Sequence, residues 1–160
     1  MAARRLILSQ FLPYRLSITM QAVSEGLATR YSHEFGITVP EWRVISALGE
    51  HQEMTARDIA PHARMNKTMV SRAVATLLER NILLRRENSG DRREAFLRLA
   101  RRGDDIYAAI VPMALDYERK LLRDLPKAEI AALDRALTVL LHRADEEARA
   151  INDKINGDAE

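Results

Sequence analysis

The 160-residue sequence predicts a mainly α-helical fold with one small β-hairpin, and three observations predict it. Long segments repeat apolar residues at steps of three and four, the period of helices with one buried face. A single stretch, 82–99, abandons that period for two short runs around Ser89–Gly90, the punctuation of a hairpin. Glycine (6) and proline (5) are too scarce for a many-turned all-β chain.

The elements follow in order. Pro13 opens a helix over 13–34, at a position where its missing N–H costs nothing. Leu16, Met20, Val23, Leu27, Tyr31 and Phe35 form its apolar stripe, and Gly36 is placed to end it. Thr38 and Glu41 have capping-box spacing and start a second helix, 39–50, with Trp42, Ile45 and Leu48 or Gly49 on one face. After Met54, the pair Thr55 and Asp58 opens a short helix through Ile59, Ala60 and Ala63. Pro61 should hold that helix to about two turns or distort it. Asn66 then caps a helix over 67–80, KTMVSRAVATLLER. Its inner face is Val70, Ala73 or Val74, Leu77 and Leu78; its outer face shows Lys67, Thr68, Ser71, Arg72, Ala75 and Thr76. Helix, ARMN, helix is the spacing of a helix-turn-helix.

In 82–99, ILLRRE and RREAFLRL read as strands. Leu84 and Arg86 share one face of the first. Ala95, Leu97 and Leu99 share a face of the second, with Phe96 and Arg98 opposite. Two strands alone are marginal, so the hairpin must pack on helices as a wing. After Gly103 the chain is helical again, with Ile106, Ala109 or Ile110, Met113, Tyr117 and Leu121 in one stripe and Pro112 expected to kink it. LRDLPK breaks this helix at 122–127. A last helix, about 127–155, carries Ile130, Leu133, Leu137, Leu140, Leu141, Ala144, Ala148, Ile151 and Ile155.

The first and last helices are longer than a winged module of about 65 residues can cover, and an apolar stripe without a partner needs one elsewhere. The simplest partner is a second copy of the chain. The expected architecture is a winged helix-turn-helix, 37–100, flanked by N-terminal (1–36) and C-terminal (101–160) dimerisation helices in one intertwined domain.

Charge is unevenly spread. Residues 64–102 hold eleven basic side chains, ten of them Arg, against four acidic ones, a net +7. Residues 103–160 hold eight basic and thirteen acidic, a net −5. A local excess of Arg is a footprint for a polyanion or simply a solvated basic face. The absence of cysteine removes disulfides, thiolate-bound metal and thiol redox sensing, and fits a reducing cytosol. No run is long enough to span a membrane. The apolar patch of MAARRLILSQFLP is broken by Ser9 and Gln10, against a signal peptide. His33, His51, His62 and His142 show no metal-site spacing, and no phosphate loop, nucleophile elbow or converging acid pair appears. No metal, cofactor or enzymatic activity is therefore expected.

Three stretches together resemble the MarR family of transcriptional regulators: VPEWRVISAL, MNKTMVSRAVATLLERNILLRR and SGDRREAFLRLARRG. The last carries the wing signature D-x-R-x-x-x-L-x-L-T at Asp91, Arg93, Leu97 and Leu99, with Ala100 where the pattern has Thr. Pro61 is a second departure, and each puts a helix boundary in question. The resemblance implies a cytoplasmic homodimer that binds double-stranded DNA as a repressor and is released by a small aromatic or anionic effector. The lack of cysteine separates the chain from the peroxide-sensing branch.

Arg72, Thr68 and Ser71 are the expected readers of the major groove, Thr76 shares their face, and Lys67 is a phosphate contact. The plain alternative is an ordinary exposed helix face. At least one of Arg92 and Arg93 is expected in the minor groove. The plain alternative is that Asp91 pairs with one of them to stiffen the loop, and the two are compatible, Asp91 orienting one Arg, by the motif Arg93, while it inserts. Arg85, Arg86, Arg98, Arg101 and Arg102 read as general electrostatics or ion pairs, with Glu87 and Glu94 as neutralising partners across the hairpin. Trp42 and Arg43 are either core and structural residues or, as the resemblance implies, part of an effector cleft with Tyr14, Ser17, Met20, Tyr107 and Met113. The competing reading of the whole chain is a ligand-binding or protein-interaction dimer in which DNA binding is secondary.

Overall fold

The computed structural model describes residues 5–87 and 94–157. A single 3-10 turn at Leu8–Gln10 precedes six α-helices and three short strands. These are α1 (Leu12–Phe35), α2 (Val39–His51), β1 (Met54–Thr55), α3 (Ala56–His62), α4 (Lys67–Glu79), β2 (Leu83–Glu87), β3 (Ala95–Leu99), α5 (Arg101–Leu122) and α6 (Lys127–Gly157). No helix among the described residues is long and apolar enough to cross a membrane.

Local chemistry sets most of the boundaries. Pro13 sits in the first turn of α1, and Gly36 ends it in the left-handed region (φ 61°), its N–H donating to Ser32 O at 2.9 Å. Thr38 and Glu41 close a capping box: the Thr38 N–H donates to Glu41 Oε2 at 2.7 Å, and the Glu41 N–H to Thr38 Oγ1 at 3.4 Å. Thr55 and Asp58 do the same for α3. That helix has seven residues, with Pro61 next to last, so the proline removes a helical hydrogen bond only where the helix is already ending.

Two boundaries differ from the sequence reading. The wing is a three-stranded antiparallel sheet in the order β1-β3-β2, because Met54 and Thr55 pair with Leu97 and Phe96 on the open edge of β3. Helix α5 begins at Arg101, before Gly103, and continues through Pro112. Gly103 is buried in its first turn, and a β-carbon there would collide with the Ile82 carbonyl oxygen and lie 3.3 Å from the Leu99 side chain. The glycine is a packing requirement, not a helix breaker. The same Ile82 oxygen accepts the Ala100 N–H at 2.9 Å, and the Ala100 carbonyl starts α5 by accepting Asp104 N–H.

The chain divides after Tyr117 into two compact units. In the first, one core joins Tyr31, Ile37, Val44, Ile45, Leu48, Ile59, Val70, Leu77, Ile82, Leu83, Leu97, Ile106 and Ile110. Each such side chain contributes about 1.5–3 kcal/mol by leaving water. The stripe of α1 is covered only at its C-terminal end: Tyr31 is buried, while Leu16, Met20 and Val23 are 38%, 55% and 38% exposed. The second unit holds the end of α5 and the whole of α6. Leu133, Leu137, Leu140 and Leu141 of α6 are all exposed, as are Ile151 and Ile155.

Candidate nucleic-acid interface

Helices α3 and α4 are joined by Ala63–Asn66. Arg64 takes the left-handed conformation (φ 52°), and the Met65 N–H donates to Ala60 O at 2.9 Å while its side chain is buried. The chain reverses in this turn, and Asn66 Oδ1 accepts the Met69 N–H at 2.8 Å to open α4. Val70, Ala73, Val74 and Leu77 are buried beneath α4, which fixes the helix and leaves Lys67, Thr68, Ser71, Arg72, Ala75 and Thr76 in solvent. Thr76 donates its hydroxyl proton to Arg72 O at 3.1 Å, so its side chain is left to accept. Lys67 stands at the N-terminal, positive end of the helix dipole, where an anion is favoured.

The arginines of the basic segment divide by partner. Arg80, just beyond α4, donates to Phe35 O at 2.7 Å and Gly36 O at 2.9 Å and lies 3.9 Å from the buried Glu41 carboxylate. Arg86 makes a two-pronged bond to Glu53, at 3.1 and 2.7 Å, with its guanidinium 4.6 Å from the Phe96 ring centroid. That bond holds the Glu53 carboxyl below its ordinary range and raises Arg86. Arg102 donates to Arg80 O at 3.2 Å. Glu94 pairs with Arg57 of α3 at 3.5 Å. These pairs tie the hairpin to α3 and to the segment just before β1.

Of the sequence-derived DNA contacts, Lys67, Thr68, Ser71, Arg72 and Thr76 share one exposed face. Arg92 and Arg93, with Asp91, lie outside the described residues.

The residues assigned to an effector cleft are only partly gathered. Tyr31, Trp42 and Tyr107 form a row of rings with centroids 5.9 and 6.1 Å apart, the second pair stacked. Burial pushes the Tyr31 hydroxyl above its ordinary value of 10.0, with the Arg43 charge partly opposing. Tyr107 packs its ring directly on Gly49, where no side chain would fit. It also lines a cleft of about 520 Å³ with Leu48, Gln52, Glu53, Arg98, Leu99 and Asp104. Trp42, Arg43 and Met113 are half-buried and do not line this cleft; Tyr14, Ser17 and Met20 lie on the exposed side of α1.

Sequence reasoning missed Arg80 and Glu53, whose partners are 45 and 33 residues away. It also missed a cluster of Glu50, His51 and His62, built from two helices and invisible to spacing within one.

Residues 37–95 match the profile of the MarR family. The HTH-type transcriptional regulator FarR of Neisseria gonorrhoeae is 24% identical over 135 residues, covering 76% of this chain and 92% of that protein. A MarR/EmrR family transcriptional regulator from Acinetobacter sp. ADP1 superposes with a TM-score of 0.80 at 25% identity, over 88% of this chain and 99% of that one. The fold is shared too by NadR, solved in complex with 4-hydroxyphenylacetate, at a TM-score of 0.71 and 20% identity, over 88% of this chain and 97% of NadR.

Proposed function

We propose that the chain, whose residues 37–95 match the MarR family profile, is a winged-helix DNA-binding transcriptional regulator of that family and a cytoplasmic homodimeric repressor. It binds a pseudo-palindromic operator and leaves it when a small aromatic acid binds. The observation that carries this reading is the exposed face of α4, capped by Asn66 and backed by a fully apolar inner face.

In this reading α4 enters the major groove. Arg72 reaches a base edge, Thr68 and Ser71 make shorter contacts, Thr76 accepts, and Lys67 holds a phosphate. Arg92 and Arg93 at the wing supply the minor-groove contact. The unpartnered stripes of α1 and α6 support a second copy of the chain as partner, which sets two reading heads about one turn, ~34 Å, apart. The stacked Trp42–Tyr107 pair and the neighbouring Arg43 supply a flat apolar surface and a carboxylate partner, chemistry suited to an effector such as the arylacetate held by NadR. An effector releases DNA only through a difference in its affinity for the two dimer forms. Tyr14, Ser17, Met20 and Met113 complete this effector site.

The test is selection of bound sites from random duplexes at fixed salt, with Arg72→Ala beside the wild type. Specific affinity should fall by about 1–3 kcal/mol while the dimer persists. No preference among duplexes, or an unchanged preference in Arg72→Ala, would overturn the reading and favour a dimer in which DNA binding is secondary.

A further inference from the structure

The C-terminal ends of α2 and α3 bring two imidazoles and a carboxylate together. Glu50 and His51 stand in the last turn of α2, and His62 is the last residue of α3. The Glu50 carboxylate serves both rings: Oε2 lies 3.2 Å from His62 Nε2, and Oε1 lies 3.8 Å from His51 Nε2. The rings meet edge to face with centroids 4.6 Å apart, and one ligand atom from each residue falls within 4.8 Å of the others.

Neighbours on a helix normally point apart, so convergence of residues 50 and 51 on a third group is uncommon. Beside them the backbone adopts a costly conformation. Gln52 has φ 64° and ψ −46°, and the Glu53 N–H donates to His51 O at 2.7 Å, a γ-turn of the rare positive-φ kind. Such geometry costs on the order of 1–3 kcal/mol in a residue other than glycine.

We infer that Glu50, His51 and His62 form a binding site for a divalent transition-metal ion of the zinc class. Bond lengths of about 2.0–2.2 Å to nitrogen and oxygen place tetrahedral donors about 3.3–3.5 Å apart. The His62–Glu50 separation is already close to that; the His51 nitrogen, 3.8 Å from Glu50 and within 4.8 Å of the other donors, would have to close the remaining gap by rotation of its exposed side chain. Two imidazole nitrogens with one carboxylate suit Zn²⁺, Co²⁺, Ni²⁺ or Cu²⁺, not the all-oxygen preference of Mg²⁺ and Ca²⁺. Three protein ligands leave the fourth position to water. The ion would pin the end of α2 to the end of α3, immediately before the turn that leads into α4. The inference stands on this geometry and not on the reading of α4 as a DNA-contacting helix.

The full-length chain titrated with Co²⁺ should develop the visible absorption of a tetrahedral site at one ion per chain. Zn²⁺ should displace it, Mg²⁺ should not, and Zn²⁺ should raise the melting temperature. His51→Ala and His62→Ala should each weaken binding at least ~10-fold, the lower end of what losing a mere supporting residue costs at metal sites. Glu50→Gln should weaken it as well, while His33→Ala and His142→Ala should leave it intact. All three ligand side chains are exposed, so the variants should keep wild-type circular dichroism. Absence of the cobalt band in the wild type, or a band unchanged in His62→Ala, overturns the inference. Neither result touches the choice of DNA sites by α4, which is read separately.

Discussion

Replacing Arg80 with alanine removes a clamp between three elements, and the structure sets its size. Two guanidinium hydrogen bonds disappear, to Phe35 O at 2.7 Å and to Gly36 O at 2.9 Å. Hydrogen bonds to a charged donor contribute about 1.5–3 kcal/mol each. The Gly36 bond is exposed, so water replaces much of it; the Phe35 bond is partly buried and keeps most of its worth. Glu41, 6% exposed, also loses the cation 3.9 Å away and retains only its cap bond from Thr38 N–H. A buried carboxylate stripped of its partner adds to the loss. The net expectation is a destabilisation of about 2–4 kcal/mol. Urea denaturation followed by circular dichroism measures it, at a fixed protomer concentration because a dimer's stability depends on that concentration. Arg80→Ala with Glu41→Gln should recover part of the loss, since no bare carboxylate then remains. A change within the ±0.5 kcal/mol of ordinary surface substitutions would refute the clamp.

Three further outcomes are expected. Gly103→Ala gains up to ~1 kcal/mol of helix propensity but drives a methyl into the Ile82 carbonyl, and overpacking at about 1–3 kcal/mol should win; a higher urea midpoint would contradict this. Glu53 has its carboxyl held below the ordinary 4.5 by Arg86, so the pair adds stability above that pH and loses it as pH falls. The stability gap between wild type and Glu53→Gln should therefore close on acidification, as followed by thermal melts from neutral to acid pH. Leu137→Asp with Leu141→Asp should leave α6 helical by circular dichroism and move the mass in solution from about twice 18.2 kDa to 18.2 kDa; a persistent dimer would show that this face is not the interface.

What the sequence made legible was local. Thr38 with Glu41, Thr55 with Asp58, and Asn66 are caps whose partners lie three residues away, so their helices could be placed within a residue or two. The inner face of α4 followed from its period, and the outer face by subtraction. Contacts between distant segments left no such mark. Strand β1 is two residues long, too short to show alternation, and exists only because β3 offers an edge. Gly103 looked like punctuation because a glycine signals a break, whereas its cause is a backbone 21 residues earlier. Arg86 was legible as general electrostatics or an ion pair but not its partner Glu53, and Arg80 left no sign of the carbonyls it holds.

The double duty of Thr55 has a mechanical consequence. It is the last residue of β1, opposite Phe96 in the wing, and also the cap whose oxygen holds the first turn of α3. Strand and helix therefore share a hinge pin with no slack between them, and a tilt of the wing is inherited by the scaffold that carries α4. In the proposed reading of α4 as the DNA-contacting helix, that helix and the paired strands β1 and β3 are presented to a duplex as connected parts. On that reading, accommodating an imperfect site falls to the DNA, through bending whose energy depends on the base steps being bent, including steps that no side chain touches.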